Sequence, residues 1–557
     1  MTLLLVASSV RAQTDTKKEK EAAELEKKTL ALLNEIASGA WGLKLPENRV
    51  YIMASTADLL WPFDDKRARN LYWEALNSVY PTPPNRKAGE ISQPYSLTLR
   101  LRRRVLLLVA RRDTQLALDM LRATRQVSLG PESSPSEERW LEQEIAGQIA
   151  ARDPAQALQF ARESLAKGLT FELANLLQQL QQRDVEKASV FAGEIIARLQ
   201  TAKVATDLQA SLLAIYLVHG SRTRELRAGE LKPLSLTEDQ RRGLIEILTS
   251  AALSASANSN LLFEINEVMP EIEQFFPERR AALERKLAVF NNTLNKDQRD
   301  QNTQNTLIRR GEQEELVRIA ASADDNTQDH LYQQAAIIAV ARGNTDAFRE
   351  FLSKEVSDSG ERRKVLDYLD AEEISTAAGR KQIDQLRKLL PKIERKEERA
   401  RAMAELAVLL KEKGEDAEAV TLLDEAATMI KTNLKDEKQT NALLSLLCAY
   451  AVVDPGKAFA LAERTVDRAN SQISLLMLLD RVVKSGAVKK SEIILDQAGI
   501  MPLDFLVFKY GKGVAALARS DFNRTRALAD RFDRNELRLL AQLLIVKGLL
   551  QPSDVPQ

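Results

Sequence analysis

Between Ala400 and Ala427 the apolar positions recur with a helical period, stop, and start again. Met403, Leu406, Ala407 and Leu410 are three and four residues apart, which puts them on one face of a helix. Lys411, Glu412 and Lys413 are polar, and Gly414 can take the left-handed conformation that ends a helix. Ala419, Leu422, Leu423 and Ala426 then form a second apolar stripe. Small side chains at Ala407 and Ala419 let two backbones approach, so the stretch predicts a helix–turn–helix hairpin. Similar punctuation runs through the C-terminal half, with turn signals at Gly311, Gly343, Gly379, Gly414, Asp454, Gly486 and Ser520. Successive signals lie 32 to 40 residues apart, one helical hairpin each.

A second signature begins a helix rather than ending one. Asp113 is followed by Ala117, Leu118 and Leu121, and Asp153 by Ala157, Leu158 and Ala161. Asp184 precedes Ala188, Phe191 and Ala192, and Asp454 precedes Ala458, Phe459 and Ala462. An aspartate there can accept the free amide hydrogens of the first helical turn and complement the helix dipole. Pro154 and Pro455 follow two of these aspartates at the first helical position, where no amide hydrogen is needed. The recurrence marks the aspartates as caps rather than catalytic acids.

The Ala400–Ala427 hairpin resembles a tetratricopeptide repeat. Met403, Leu406, Leu410, Gly414, Ala419, Leu423 and Ala426 fall in its register, while Ala407 replaces the usual glycine and Lys431 the usual closing proline. The resemblance covers roughly residues 306–540, and more loosely 99–199. It implies an all-α fold, an α-solenoid of stacked antiparallel hairpins, and binding of a protein or peptide partner. Because one hairpin buries too little surface alone, stacking is obligatory in such an array.

The remaining pattern divides the chain. Residues 1–12 (MTLLLVASSVRA) combine a short apolar run with the small-residue spacing of Val10-Arg11-Ala12, which predicts a signal peptide and a periplasmic or secreted protein, with a cytoplasmic one as the alternative. Residues 13–29 form a charged spacer and 30–80 an N-terminal helical block. Residues 81–98 open with a proline-rich loop, 99–228 hold degenerate hairpins, and 229–305 form an irregular junction. Repeats fill 306–550, and 551–557 are a tail.

Composition agrees with helices: 17 prolines, 21 glycines and 5% aromatic residues argue against extensive sheet. The chain carries 80 basic and 79 acidic residues, so it offers no footprint for nucleic acid, and no apolar run is long enough for a transmembrane helix. Chemistry is sparse. The two histidines, His219 and His330, sit in unrelated contexts and read as surface or helix-end residues. The single Cys448 lies in an apolar run and reads as an interior thiol. Tyr510-Gly511-Lys512-Gly513 lacks the arrangement that cradles phosphates and reads as a helix boundary. No catalytic, cofactor or metal site is expected.

Two groups remain as binding candidates. Trp41, Trp61 and Trp73 cluster in the N-terminal block, either as packing between irregular repeats or as a partner surface. Arg102, Arg103 and Arg104 form a basic patch, read first as the solvent face of a buried leucine helix. The functional expectation is an exported noncatalytic scaffold of the cell envelope that binds a protein or peptide. The alternative is a glycan- or peptidoglycan-acting protein, which requires two inward carboxylates without a capping or salt-bridge partner beside exposed tryptophans.

Overall fold

The computed structural model describes residue 20 and residues 23–79, 93–128, 141–142, 144–145, 147–148, 153–222, 231–256, 261–430, 437–483, 488–495 and 503–550. The expected signal peptide, the first part of the charged spacer, most of the proline-rich loop, Trp140, Gly486 and the tail lie outside the described residues. Within them the chain is all-α. The one exception is a short antiparallel ribbon pairing Val488–Lys489 with Glu492–Ile493.

The chain forms two compact units, Met1–Val79 with Gln304–Gln557, and Tyr80–Thr303. In the first unit the helices Asp325–Arg342, Ser359–Gly379, Lys396–Lys413, Glu437–Val453, Leu503–Ser520 and Asn535–Leu550 each pack on the next. A second helix lies between each consecutive pair and packs on both: Thr345–Glu355, Ile383–Leu389, Asp416–Met429, Pro455–Val483 and Phe522–Asp530. The order continues past the last of these helices in an unexpected direction. Pro46–Leu60, paired with Asp65–Val79, packs against Asn535–Leu550, so the first helices of the sequence join the last.

The hairpin read first in the sequence forms as expected. Met403, Leu406, Ala407, Leu410, Ala419, Leu423 and Ala426 are buried in one apolar cluster, and Leu422 is half-buried at its edge. Each leucine taken from water contributes about 2 kcal/mol. Gly414 adopts φ +86°, and the amide of Glu415 reaches back to the carbonyl of Leu410 at 2.9 Å, closing the helix end. The same closure recurs at Gly311, with Glu312 N to Leu307 O at 3.0 Å, and at Gly343, with Asn344 N to Ala339 O at 3.2 Å.

The third signal is displaced. Gly379 stays inside its helix, and Lys381 takes the left-handed position at φ +53°, with Gln382 N bonded to Ala377 O at 2.9 Å. A side chain with a Cβ is strained there. Lys381→Gly is therefore expected to stabilise the protein by about 0.5–1 kcal/mol, read as a higher urea midpoint. Regularity is also lost after Asp454. Helix Pro455–Val483 runs for 29 residues, and the ribbon follows it.

All four aspartates of the second signature cap helices. Asp113 accepts from Leu116 N at 2.9 Å, Asp153 from Ala155 N and Gln156 N at 3.0 Å, Asp184 from Lys187 N at 3.0 Å, and Asp454 from Lys457 N at 3.2 Å. Asp207, Asp324, Asp358 and Asp521 do the same elsewhere.

In the second unit Gln93–Ala110 packs on Thr114–Ser128, and Pro154–Lys167, Glu172–Arg183 and Val185–Leu199 pack on one another. Leu208–Gly220 and Glu238–Ser254 follow, then the shorter helices of residues 261–279 and Arg280–Thr293. Ahead of helix Glu238–Ser254, Leu234 and Leu236 are buried, and Ser235 N donates to Ser189 Oγ at 2.8 Å.

Candidate functional site

The side chains singled out by sequence are dispersed. Trp61 packs within its own hairpin, tilted against Tyr72 at 6.2 Å between ring centroids, with the Arg69 guanidinium 4.9 Å from its ring. Trp41 is half exposed beside Arg49, and Trp73 is half-buried.

The basic patch is not a solvent face. Arg102 is only 1% exposed and donates from Nε to Thr124 Oγ1 at 2.8 Å and from Nη2 to Leu121 O at 3.1 Å. It joins the two helices of its hairpin, because a buried guanidinium has to spend its donors on protein acceptors. Arg103 forms a forked pair with Glu144, with Nε 2.6 Å from Oε2, and Arg104 is half-buried.

Tyr510-Gly511-Lys512-Gly513 is not a helix boundary either. It lies inside helix Leu503–Ser520, and its glycines are contact points. A Cβ at Gly513 would sit 2.7 Å from Cys448 Cα in the preceding helix of the row. On the following side, a Cβ at Gly548 would sit 3.0 Å from Gly511 O. Cys448 itself is half-buried in this contact, with Sγ 4.0 Å from Tyr510 O.

The first unit also holds a buried pair of carboxylates. Asp370 and Glu373, one turn apart on helix Ser359–Gly379, are buried and share Arg349 Nη2, each at 2.5 Å. Burial pushes Asp370 up to about 6, with Arg349 opposing the rise and Glu373 and Asp367 adding to it. Asp367, one turn earlier, pairs with Arg395 at 2.9 Å and with Lys438, so it ties its helix to two further segments. This acidic pair differs from what a glycan-cleaving site requires, because both carboxylates are committed to one guanidinium.

The sign of the Asp370 effect follows from linkage. Its folded pKa of about 6 lies above the ordinary 3.8, so the folded state holds a proton that the unfolded chain releases. Stability from this group is therefore complete below the ordinary value and is lost as pH rises through about 6. Asp370→Asn is expected to raise stability near pH 7 by about 1–3 kcal/mol. The gain should shrink toward zero near pH 4, as followed by urea denaturation across that range.

The candidate functional site lies on the row of first helices, around Glu405. Glu405 is exposed, yet desolvation raises its carboxyl above the ordinary range against the pull of Arg401 and Lys512. Arg401 stands one turn away on the same helix and pairs with Glu398 at 2.7 Å. Lys512 comes from helix Leu503–Ser520, as does Tyr510, whose hydroxyl is raised by burial and by Cys448 and lowered by Arg401. Helices Lys396–Lys413 and Leu503–Ser520, which both pack on Glu437–Val453, thus contribute two cations, one carboxyl and one phenol that act on one another electrostatically. Neither histidine lies on these helices. The arrangement is suited to hydrogen-bonding and charge-pairing with a bound chain.

Among the described residues, no three His, Cys, Asp or Glu side chains converge in a way that could hold a metal ion, and no helix is long and apolar enough to cross a membrane. The sequence offered no signal for this grouping, because its members come from two helices about a hundred residues apart. No protein-family model matches the chain, and no curated protein matches it.

Proposed function

We propose that the protein is a noncatalytic helical-repeat scaffold, with its hairpins stacked as a tetratricopeptide-like solenoid and a protein or peptide segment held over the surface around Glu405. The observation that carries this reading is Glu405 itself, an exposed carboxyl acted on by Arg401 of its own helix and by Lys512 of another. Supporting it, first helices pack on first helices along the row, so their outward side chains form one continuous surface. An extended peptide laid across that surface meets Arg401, Glu405, Tyr510 and Lys512 together. Mixed charges of this kind favour a partner with alternating acidic and basic or amide side chains.

The test is position-dependent capture. A photo-crosslinking residue replacing Glu405 is expected to trap one protein in cells. The same residue replacing Asp384, on the second helix Ile383–Leu389, is expected to trap none above background. Adding Lys512→Glu to the first variant should cut the yield several-fold. Equal capture at both positions, or none at 405, overturns the assignment.

A further inference from the structure

The second unit contains a polar clasp that the scaffold reading does not use. Near the end of helix Leu208–Gly220, His219 Nδ1 lies 2.9 Å from Arg222 Nη1, and His219 Nε2 lies 2.7 Å from Glu267 Oε2. The same guanidinium donates to Glu271 at 2.5 Å from Nε and 2.9 Å from Nη2, and it also reaches the backbone carbonyl of Glu267. Arg222 thereby fastens the helix end to the segment Ile265–Val268 and to helix Met269–Phe275, while His219 Nε2 faces Glu267 without the alignment of a hydrogen bond.

The proton inventory of this clasp is constrained. A guanidinium carries donors only, so Nδ1 must be the acceptor of the Arg222 bond. Nε2 therefore carries the ring hydrogen and faces Glu267. That accounts for a neutral ring and leaves no site for a second proton. Protonation would place an N–H on Nδ1 directly opposite the N–H of Arg222, two donors head to head.

We propose that His219 is a proton-operated switch, its neutral ring closing the clasp and its protonated ring expelling Arg222 and freeing the helix end from Glu267 and Glu271. The charges acting on the ring among the described residues are Arg222, Glu267 and Glu271. From the neighbouring helix Glu238–Ser254, Arg241 donates to Ser221 O at 3.1 Å and holds the next residue in place. Burial, then Arg222, depress the pKa of His219 below the ordinary 6.5, against the opposing pull of the two glutamates. The unfolded chain therefore takes up the proton first. Stability from the clasp is complete above 6.5 and is lost as pH falls below it.

The experiment uses the full chain in two variants. His330→Gln leaves His219 as the sole imidazole, so one NMR titration reports it directly. The expected result is a midpoint below 6.5, with nitrogen shifts placing the hydrogen on Nε2 at neutral pH. Deuterium uptake, corrected for the intrinsic pH dependence of exchange, is measured in parallel for residues 208–222 and 265–275. It should rise about ten-fold between about pH 7.5 and pH 5. His219→Gln keeps an N–H for Glu267 but cannot take up a proton, and its uptake should stay flat. A midpoint at or above 6.5, or a rise of the same size in His219→Gln, overturns the switch.

Discussion

Glu492→Ala is expected to cost about 3–5 kcal/mol and to release the N-terminal helices before the rest of the first unit unfolds. Glu492 sits at the end of the ribbon, 5% exposed, and its carboxylate accepts from Lys44 N at 2.6 Å, Leu45 N at 3.1 Å and Asn48 Nδ2 at 3.2 Å. Lys44 N and Leu45 N are the backbone donors just ahead of helix Pro46–Leu60, and Asn48 Nδ2 is a side-chain donor in its first turn. Their acceptor comes from 447 residues away in the sequence. Asn48 completes the joint, donating to Ile493 O at 2.8 Å and accepting from Leu495 N at 2.9 Å, while Ile493 N donates to Glu536 at 3.0 Å.

Alanine would strand the buried amide of Leu45 and one hydrogen of Asn48 Nδ2, each costing about 1–3 kcal/mol, and would leave the more exposed Lys44 amide to water. Glu492→Gln keeps one oxygen and should lose roughly half as much. Hydrogen exchange distinguishes local from global loss: protection of residues 44–60 should fall well before that of residues 396–430. Unchanged protection at 44–60 would mean that apolar contacts such as Leu539 against Gly39 hold the joint without the carboxylate.

Gly513→Leu is expected to lower stability by about 3 kcal/mol or more, the upper end of overpacking penalties. Its Cβ would fall 2.7 Å from Cys448 Cα, 2.8 Å from Cys448 Cβ and 2.9 Å from Cys448 Sγ, and the nearest of these atoms is backbone. Gly513→Ala sets two effects against each other. Helix propensity favours alanine by about 1 kcal/mol, while the contact penalises it by about 1–3 kcal/mol. A net loss is expected, because a backbone atom cannot rotate away. Adding Cys448→Gly removes two of the three contacts and should restore stability only in part. Full restoration in urea unfolding would place the conflict in the cysteine side chain rather than in the approach of the two helices.

The candidate site and the joint were far less legible in the sequence than the hairpins. Nothing in the local sequence sets Asp370, Glu373 or Glu492 apart from the chain's other acidic residues. Arg102 belonged by pattern to a solvent face, yet it is buried on Thr124 and Leu121. Gly511 and Gly513 suggested an ending because glycine lowers helix propensity, and close packing on both sides outweighs that cost.

By itself the sequence determined what depends on neighbours within about five residues. That includes the apolar stripes, the aspartate caps at Asp113, Asp153, Asp184 and Asp454, and the left-handed ends at Gly311, Gly343 and Gly414. Only the tertiary structure decided that Pro46–Leu60 joins Asn535–Leu550, that Glu492 takes up the amides ahead of a helix at the other end of the chain, and that Lys512 acts on Glu405 and Arg401 on Tyr510. The reason is physical. A helix and its caps are closed by hydrogen bonds to nearby residues, whereas the choice of which apolar faces pack, and which buried donors find an acceptor, is made among surfaces that chain order does not encode.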